Sequence, residues 1–132
     1  MKTFEFIVQG PPVSLNAKKN NALRYQKWIR TVRSAAVVEW PTGEKATDDR
    51  SIEVNITNYY TLAPPDVDNI IKPILDALET VVYLDDEQVR RVTSERFNLR
   101  EISKIINPSP LLAAALENYS ELLHIVVHIP ED

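Results

Sequence analysis

The chain contains no cysteine, two glycines and one methionine among its 132 residues. Without cysteine there is neither a disulfide nor a thiolate metal site, a composition that suits a reducing compartment. Two glycines leave no room for a glycine-rich phosphate loop. No run approaches the roughly 18 apolar residues of a membrane span, and the opening MKTFEFIVQGPPVS lacks the apolar stretch of a secretory signal. Repeats, low-complexity tracts and interdomain linkers are also missing. These absences give the expectation of one soluble, cytoplasmic domain spanning residues 1–132. Its 44% hydrophobic and 26% charged residues are an ordinary globular balance.

The net charge of −4 argues against a nucleic-acid partner, but its distribution argues the other way. Residues 1–34 hold seven basic residues (Lys2, Lys18, Lys19, Arg24, Lys27, Arg30, Arg33) against one acid, Glu5, while the rest of the chain is strongly acidic. Such asymmetry suits a basic contact surface and a separate acidic site or edge.

Hydrophobic periodicity predicts the elements. TFEFIVQ (3–9) alternates as a strand and ends at Gly10-Pro11-Pro12. VSLNAKKNNA reads as a polar loop leading to a helix over 23–39, with Tyr25, Ile29, Val32 and Ala36 on its buried side, Trp28 beside them, and Arg24, Lys27 and Arg30 outward. SIEVNITN (51–58) is a second alternating strand. A helix follows over about 70–80, its start limited by Pro73, because proline is tolerated only in the first turn. A third strand covers about 88–99, a helix begins at Ser109-Pro110, and ELLHIVVHI (121–129) closes the chain as a strand. The expectation is an α+β domain with a mixed sheet, about three helices and the order β-α-β-α-β-α-β.

PPDVDNIIKPILDALETVVYLDDEQV (64–89) crowds five aspartates around one helix. Carboxylates that repel one another need an offset, which a metal ion, a helix N-terminus or water can supply. Asp66 and Asp68 stand two apart in a segment that the prolines should keep extended, so their side chains point the same way as a hard-cation site. Asp85 or Asp86 can add a third ligand if the helix turns the chain back; being adjacent, only one of them should reach. Helix capping and a simple turn account for the same acids without a metal. Lys72, in the first helical turn, suits either a substrate phosphate or an i,i+4 pair with Asp76. Asn69 is a cap or a supporting group. His124 and His128 share one face of a strand and read as sheet surface.

Together these residues resemble the RusA-type Holliday junction resolvases, whose signature runs D-x-D-N-x-x-K, then D-A-L, then D-D-x-Q-V. Here the elements are Asp66-Val67-Asp68-Asn69, Lys72, Asp76-Ala77-Leu78 and Asp85-Asp86-Glu87-Gln88-Val89. The likeness extends more loosely to Gly-Pro-Pro, Ser14, Asn16 and YQKWIR, and covers roughly residues 1–100; segment 105–132 is unmatched. The resemblance implies a homodimeric endodeoxyribonuclease that uses Mg²⁺, with Mn²⁺ as substitute, to nick four-way or other branched DNA symmetrically in recombination and repair. It implies Asp66, Asp68 and Asp86 as catalytic metal ligands and Lys72 as the essential lysine. DNA affinity then falls to Lys18, Lys19, Arg24, Lys27 and Arg30 through phosphate contacts. The rival readings are a nuclease for other branched DNA and a silent DNA- or protein-binding module on the same fold.

Overall fold

The computed structural model describes residues 2–62 and 64–130. Strand β1 (Lys2–Gln9) leads through a loop to a single-turn helix α1 (Ala17–Asn20) and the long helix α2 (Ala22–Glu39). Strand β2 (Ile52–Tyr60), helix α3 (Ile71–Leu78), strand β3 (Val89–Asn98), helix α4 (Pro110–Asn118) and strand β4 (Leu122–Ile129) complete the order. Apart from α1 and three 3-10 segments, this is the expected β-α-β-α-β-α-β succession. Asn21 caps α2 by accepting from the Arg24 backbone at 3.0 Å, and Ser109 caps α4 ahead of Pro110.

One four-stranded sheet carries the fold in the order β1-β4-β2-β3. β4 is antiparallel to both β1 and β2, whereas β2 and β3 are parallel. A parallel pair needs a crossover, and α3 with its flanking turns supplies it. Period-two alternation turns Phe4, Phe6 and Val8 of β1, Ile52, Val54 and Ile56 of β2, and Ile125 and Val127 of β4 to one face. Helices α2 and α3 cover that face with Tyr25, Trp28, Val32, Ala36, Ile74, Ala77 and Leu78. Each fully buried aliphatic side chain there contributes about 1.5–3 kcal/mol, so this layer fixes α3 against the sheet. The other face is closed at one corner by α4, whose Leu112 and Ala115 pack on Tyr59 and Leu122. The histidines lie on this second face: His124 Nε2 is 2.9 Å from Glu5 Oε2, and the His128 ring lies between Thr3 and Asn55.

Candidate acidic site at the two ends of helix α3

Pro73 shapes the entry to α3. It is the third residue of the helix and has no N–H to give the carbonyl of Asn69. That oxygen instead accepts from Leu15 N at 2.7 Å, which ties the loop after β1 to the segment ahead of α3. The segment is not extended throughout, as the sequence suggested. Asp66 has extended backbone, but a 3-10 turn runs over Val67–Ile70 and takes Asp68 with it. The two aspartates are both exposed, and the turn prevents the simple same-side alternation of a strand. Ser94 of β3 donates to the Val67 carbonyl at 2.6 Å and pins the turn over the sheet.

At the other end, the chain turns back through a tightly held loop. Thr80 adopts a left-handed conformation (φ 68°), and Arg33 of α2 donates to the Glu79 carbonyl at 2.9 Å and to Thr80 Oγ1. Tyr83 is fully buried and donates its hydroxyl to the Leu75 carbonyl at 2.6 Å, tying the returning chain to α3. Gln88 is also buried and spends its whole amide on backbone. Its Oε1 accepts from Leu84 N (2.9 Å) and Asp85 N (3.0 Å), and its Nε2 donates to the carbonyls of Thr47 (2.9 Å) and Asp49 (2.8 Å). With Asp85 accepting from Glu87 N at 2.9 Å, this forms a capping box at the head of a 3-10 turn over Asp86–Gln88. Asp85 is thereby occupied as a cap, and Asp86 is the one that turns to Lys72.

Lys72 Nζ lies 2.8 Å from Asp86 Oδ2 and 3.0 Å from Asp76 Oδ1. Both expected roles of this lysine therefore coexist: it makes the i,i+4 pair with Asp76 and also reaches the acidic turn. The hydrogen bonds to Asp86 and then Asp76 raise the lysine pKa well above its ordinary value. The same bond from Lys72 is the main cause that lowers the Asp86 pKa, against the opposing effect of burial. Asp76, Glu79 and Asp86 each offer a carboxylate oxygen, and these oxygens lie within 4.8 Å of one another in a half-buried setting. Three hard oxygen donors fit Mg²⁺ or Mn²⁺. Asp66 and Asp68 fall outside that group.

Helix α2, which packs on α3, carries part of the cationic surface. Lys18 and Lys19 stand exposed on α1, and Arg24, Lys27 and Arg30 stand exposed on α2. The ammonium of Lys18 sits 6.0 Å from the centre of the Tyr25 ring. Burial, followed by the charge of Asp76, raises the Tyr25 pKa, and Lys72 opposes the shift. The first turn of α2 thus feels the charges of the α3 site.

Of the residues singled out in the sequence, Lys72, Asp76 and Asp86 are brought together, and Asp66 and Asp68 form an exposed approach to the same helix. Glu79 and Gln88 gained no role from the sequence. The signal for Glu79 was its i,i+3 spacing from Asp76, which puts both acids on one side of a helix end. Gln88 stood in the sequence only within the D-D-x-Q-V signature; its clasp was not read from it, because two of its partners are carbonyls some forty residues earlier.

A family model described as endodeoxyribonuclease RusA matches residues 13–106. The match takes in every acidic and basic site residue named above, and leaves β1, α4 and β4 outside it. No curated protein matches the chain.

Proposed function

The chain belongs to the RusA endodeoxyribonuclease family, and from that premise we propose that it resolves four-way DNA junctions as a homodimer, by paired symmetric nicks that require a divalent metal. The observation that carries this reading is the placement of Lys72 against Asp86 and Asp76, beside an exposed cationic helix. Asp66, Asp68 and Asp86 hold the metal in this reading. A bound Mg²⁺ or Mn²⁺ supplies charge neutralisation at the scissile phosphate and an activated water.

The residues of the chain supply the rest. Lys72, held beside Asp86 and Asp76, stabilises negative charge on the phosphate or the leaving oxygen. Lys18, Lys19, Arg24, Lys27 and Arg30 bind the DNA backbone, offsetting the repulsion between phosphate and the acidic site. A junction has two-fold symmetry, and two sites related by a dimer axis suit paired cuts. The acid group Asp76, Glu79 and Asp86 supports a second ligand set that shares only Asp86 with the first.

Cleavage of a labelled four-way junction, titrated with Mg²⁺, separates these readings. Asp68→Asn is expected to abolish cutting, whereas Glu79→Gln is expected to retain it with an unchanged metal requirement. The reverse pattern transfers the metal to Asp76, Glu79 and Asp86. Tight junction binding by wild-type protein with no cutting in Mg²⁺ or Mn²⁺ identifies a silent binding module instead.

A further inference from the structure

The basic residues beyond the N-terminal third are not scattered. Among residues 51–132 they are Lys72, Arg90, Arg91, Arg96, Arg100 and Lys104, so all but Lys72 lie on β3 or in the 3-10 segment that follows it. β3 is an end strand of the sheet, and charges on such an edge discourage pairing with another chain. Arg90 fits that role: it is spent on Glu53 at 2.7 Å, as Lys104 is spent on Glu101 at 3.1 Å. Arg96 is exposed, and among the described residues it makes no ion pair.

Alternation along β3 decides which surface Arg96 joins. Val92 packs on the core that α2 and α3 cover, whereas Phe97 packs on Tyr59 in the cluster under α4, with ring centres 5.5 Å apart. Val92, Ser94 and Arg96 therefore share the α3 side of the sheet, and Arg91, Thr93 and Glu95 the other. Ser94 holds the carbonyl of Val67, the residue between Asp66 and Asp68. Arg96 is the next residue on that face, about 7 Å along the strand. The parallel register sets it beside Asn58, one step past the last buried aliphatic of β2, Ile56. An exposed guanidinium thus stands by the turn that carries two exposed carboxylates and is paired with neither.

We propose that Arg96 binds a phosphate of the DNA strand that passes over the Asp66–Asp68 turn. The proposal rests on the nuclease reading for its ligand and adds a phosphate-binding residue from outside the basic N-terminal third. A guanidinium presents a planar fork that meets two phosphate oxygens at once. Its charge also offsets, at the turn itself, the repulsion between the DNA backbone and the two aspartates. Arg91 lies on the opposite face of the same strand and takes no part.

Junction affinity in EDTA, followed against salt, tests this with Arg96→Gln and Arg91→Gln. Arg96→Gln should bind about tenfold more weakly, the loss expected of one charged hydrogen-bonding group, and its slope of log K against log salt should be smaller by about one. Arg91→Gln should match wild type in both. Single phosphates around the cleavage point are then replaced by uncharged methylphosphonate. At one position wild type should lose affinity and Arg96→Gln should lose no more, a coupling that a merely structural role does not produce. An Arg96→Gln protein with wild-type affinity and slope, or one weakened only as much as Arg91→Gln, overturns the proposal and leaves the nuclease reading standing. Variants that self-associate with DNA binding unchanged also overturn it and assign the β3 arginines to guarding the edge. Wild type with no junction affinity at low salt overturns both readings. Should Arg96→Gln not fold, the Arg96 Nε–H resonance of wild type decides: it should shift on adding junction, and an unmoved resonance overturns the contact.

Discussion

The choice between two adjacent aspartates shows how local bonding assigns a role. Asp85 satisfies the turn's own backbone and Asp86 is left to meet Lys72. The pair is half open to solvent, so its direct contribution to stability is small, about 0–1 kcal/mol. In the proposed mechanism the pair keeps Lys72 aimed at the substrate phosphate. Lys72→Met should therefore lower junction cleavage by about 10²–10³-fold, the loss typical of removing one charge-stabilising donor, with little change in the thermal midpoint. The sign of the pH dependence follows from the two shifts. Asp86 is lowered, so its stabilisation is present above the ordinary carboxylate value near 3.9 and is lost as pH falls through the depressed value. Lys72 is raised, so its stabilisation is complete below its ordinary value and is lost only as pH rises through the elevated one. Unfolding midpoints followed from pH 6 down to acid should fall less steeply in Lys72→Met than in wild type.

At the scale of elements, the acidic turn depends on two buried side chains whose partners are backbone groups. Tyr83 ties it to α3, and Gln88 ties it to the loop around Thr47 and Asp49. Replacing Gln88 with leucine leaves two N–H groups and two carbonyls without their partner, a loss of about 2–3 kcal/mol, measurable by urea unfolding. Gln88→Glu sets a carboxylate against the two carbonyls that Nε2 now serves. Cleavage should fall at neutral pH and recover in part at mildly acid pH, where the introduced carboxyl is protonated and can donate again; no recovery would mean that Gln88 does not act by holding Asp86. The elements themselves were legible in the sequence, because burial on one face imposes a period. Phe4, Phe6 and Val8 marked β1, Pro73 bounded the start of α3, and Ser109-Pro110 marked α4. The 3-10 turn through Asp68 was not legible, since prolines at 64 and 65 bias only the residues before them. Nor were the bonds from Gln88 to the Thr47 and Asp49 carbonyls, which depend on long-range packing rather than on a local pattern.

Across the whole molecule, the acidic net charge and the basic N-terminal third resolve into neighbouring surfaces. Helix α2, which carries exposed cations, packs on α3, and its Tyr25 ring centre lies 6.0 Å from the ammonium of Lys18, while Tyr25 feels the charges of Asp76 and Lys72. The charge asymmetry was visible in the sequence; the adjacency was not, because it is created by α2 packing on α3 against one face of the sheet. Binding of a four-way junction should weaken steeply with salt, and Lys27→Ala should reduce the slope of log K against log salt by about one. A slope unchanged by this substitution would remove Lys27 from the DNA-binding surface. Among the described residues no helix is long and apolar enough to cross a membrane.

The most direct test of the central claim is cleavage of a synthetic four-way junction by purified protein in Mg²⁺, with EDTA, Asp86→Asn and a linear duplex as comparisons. The account predicts paired, symmetric nicks in the junction, none in the linear duplex, and none with EDTA or with Asp86→Asn. Cutting that persists in Asp86→Asn, or an intact junction in both Mg²⁺ and Mn²⁺ with folded wild-type protein, would contradict it.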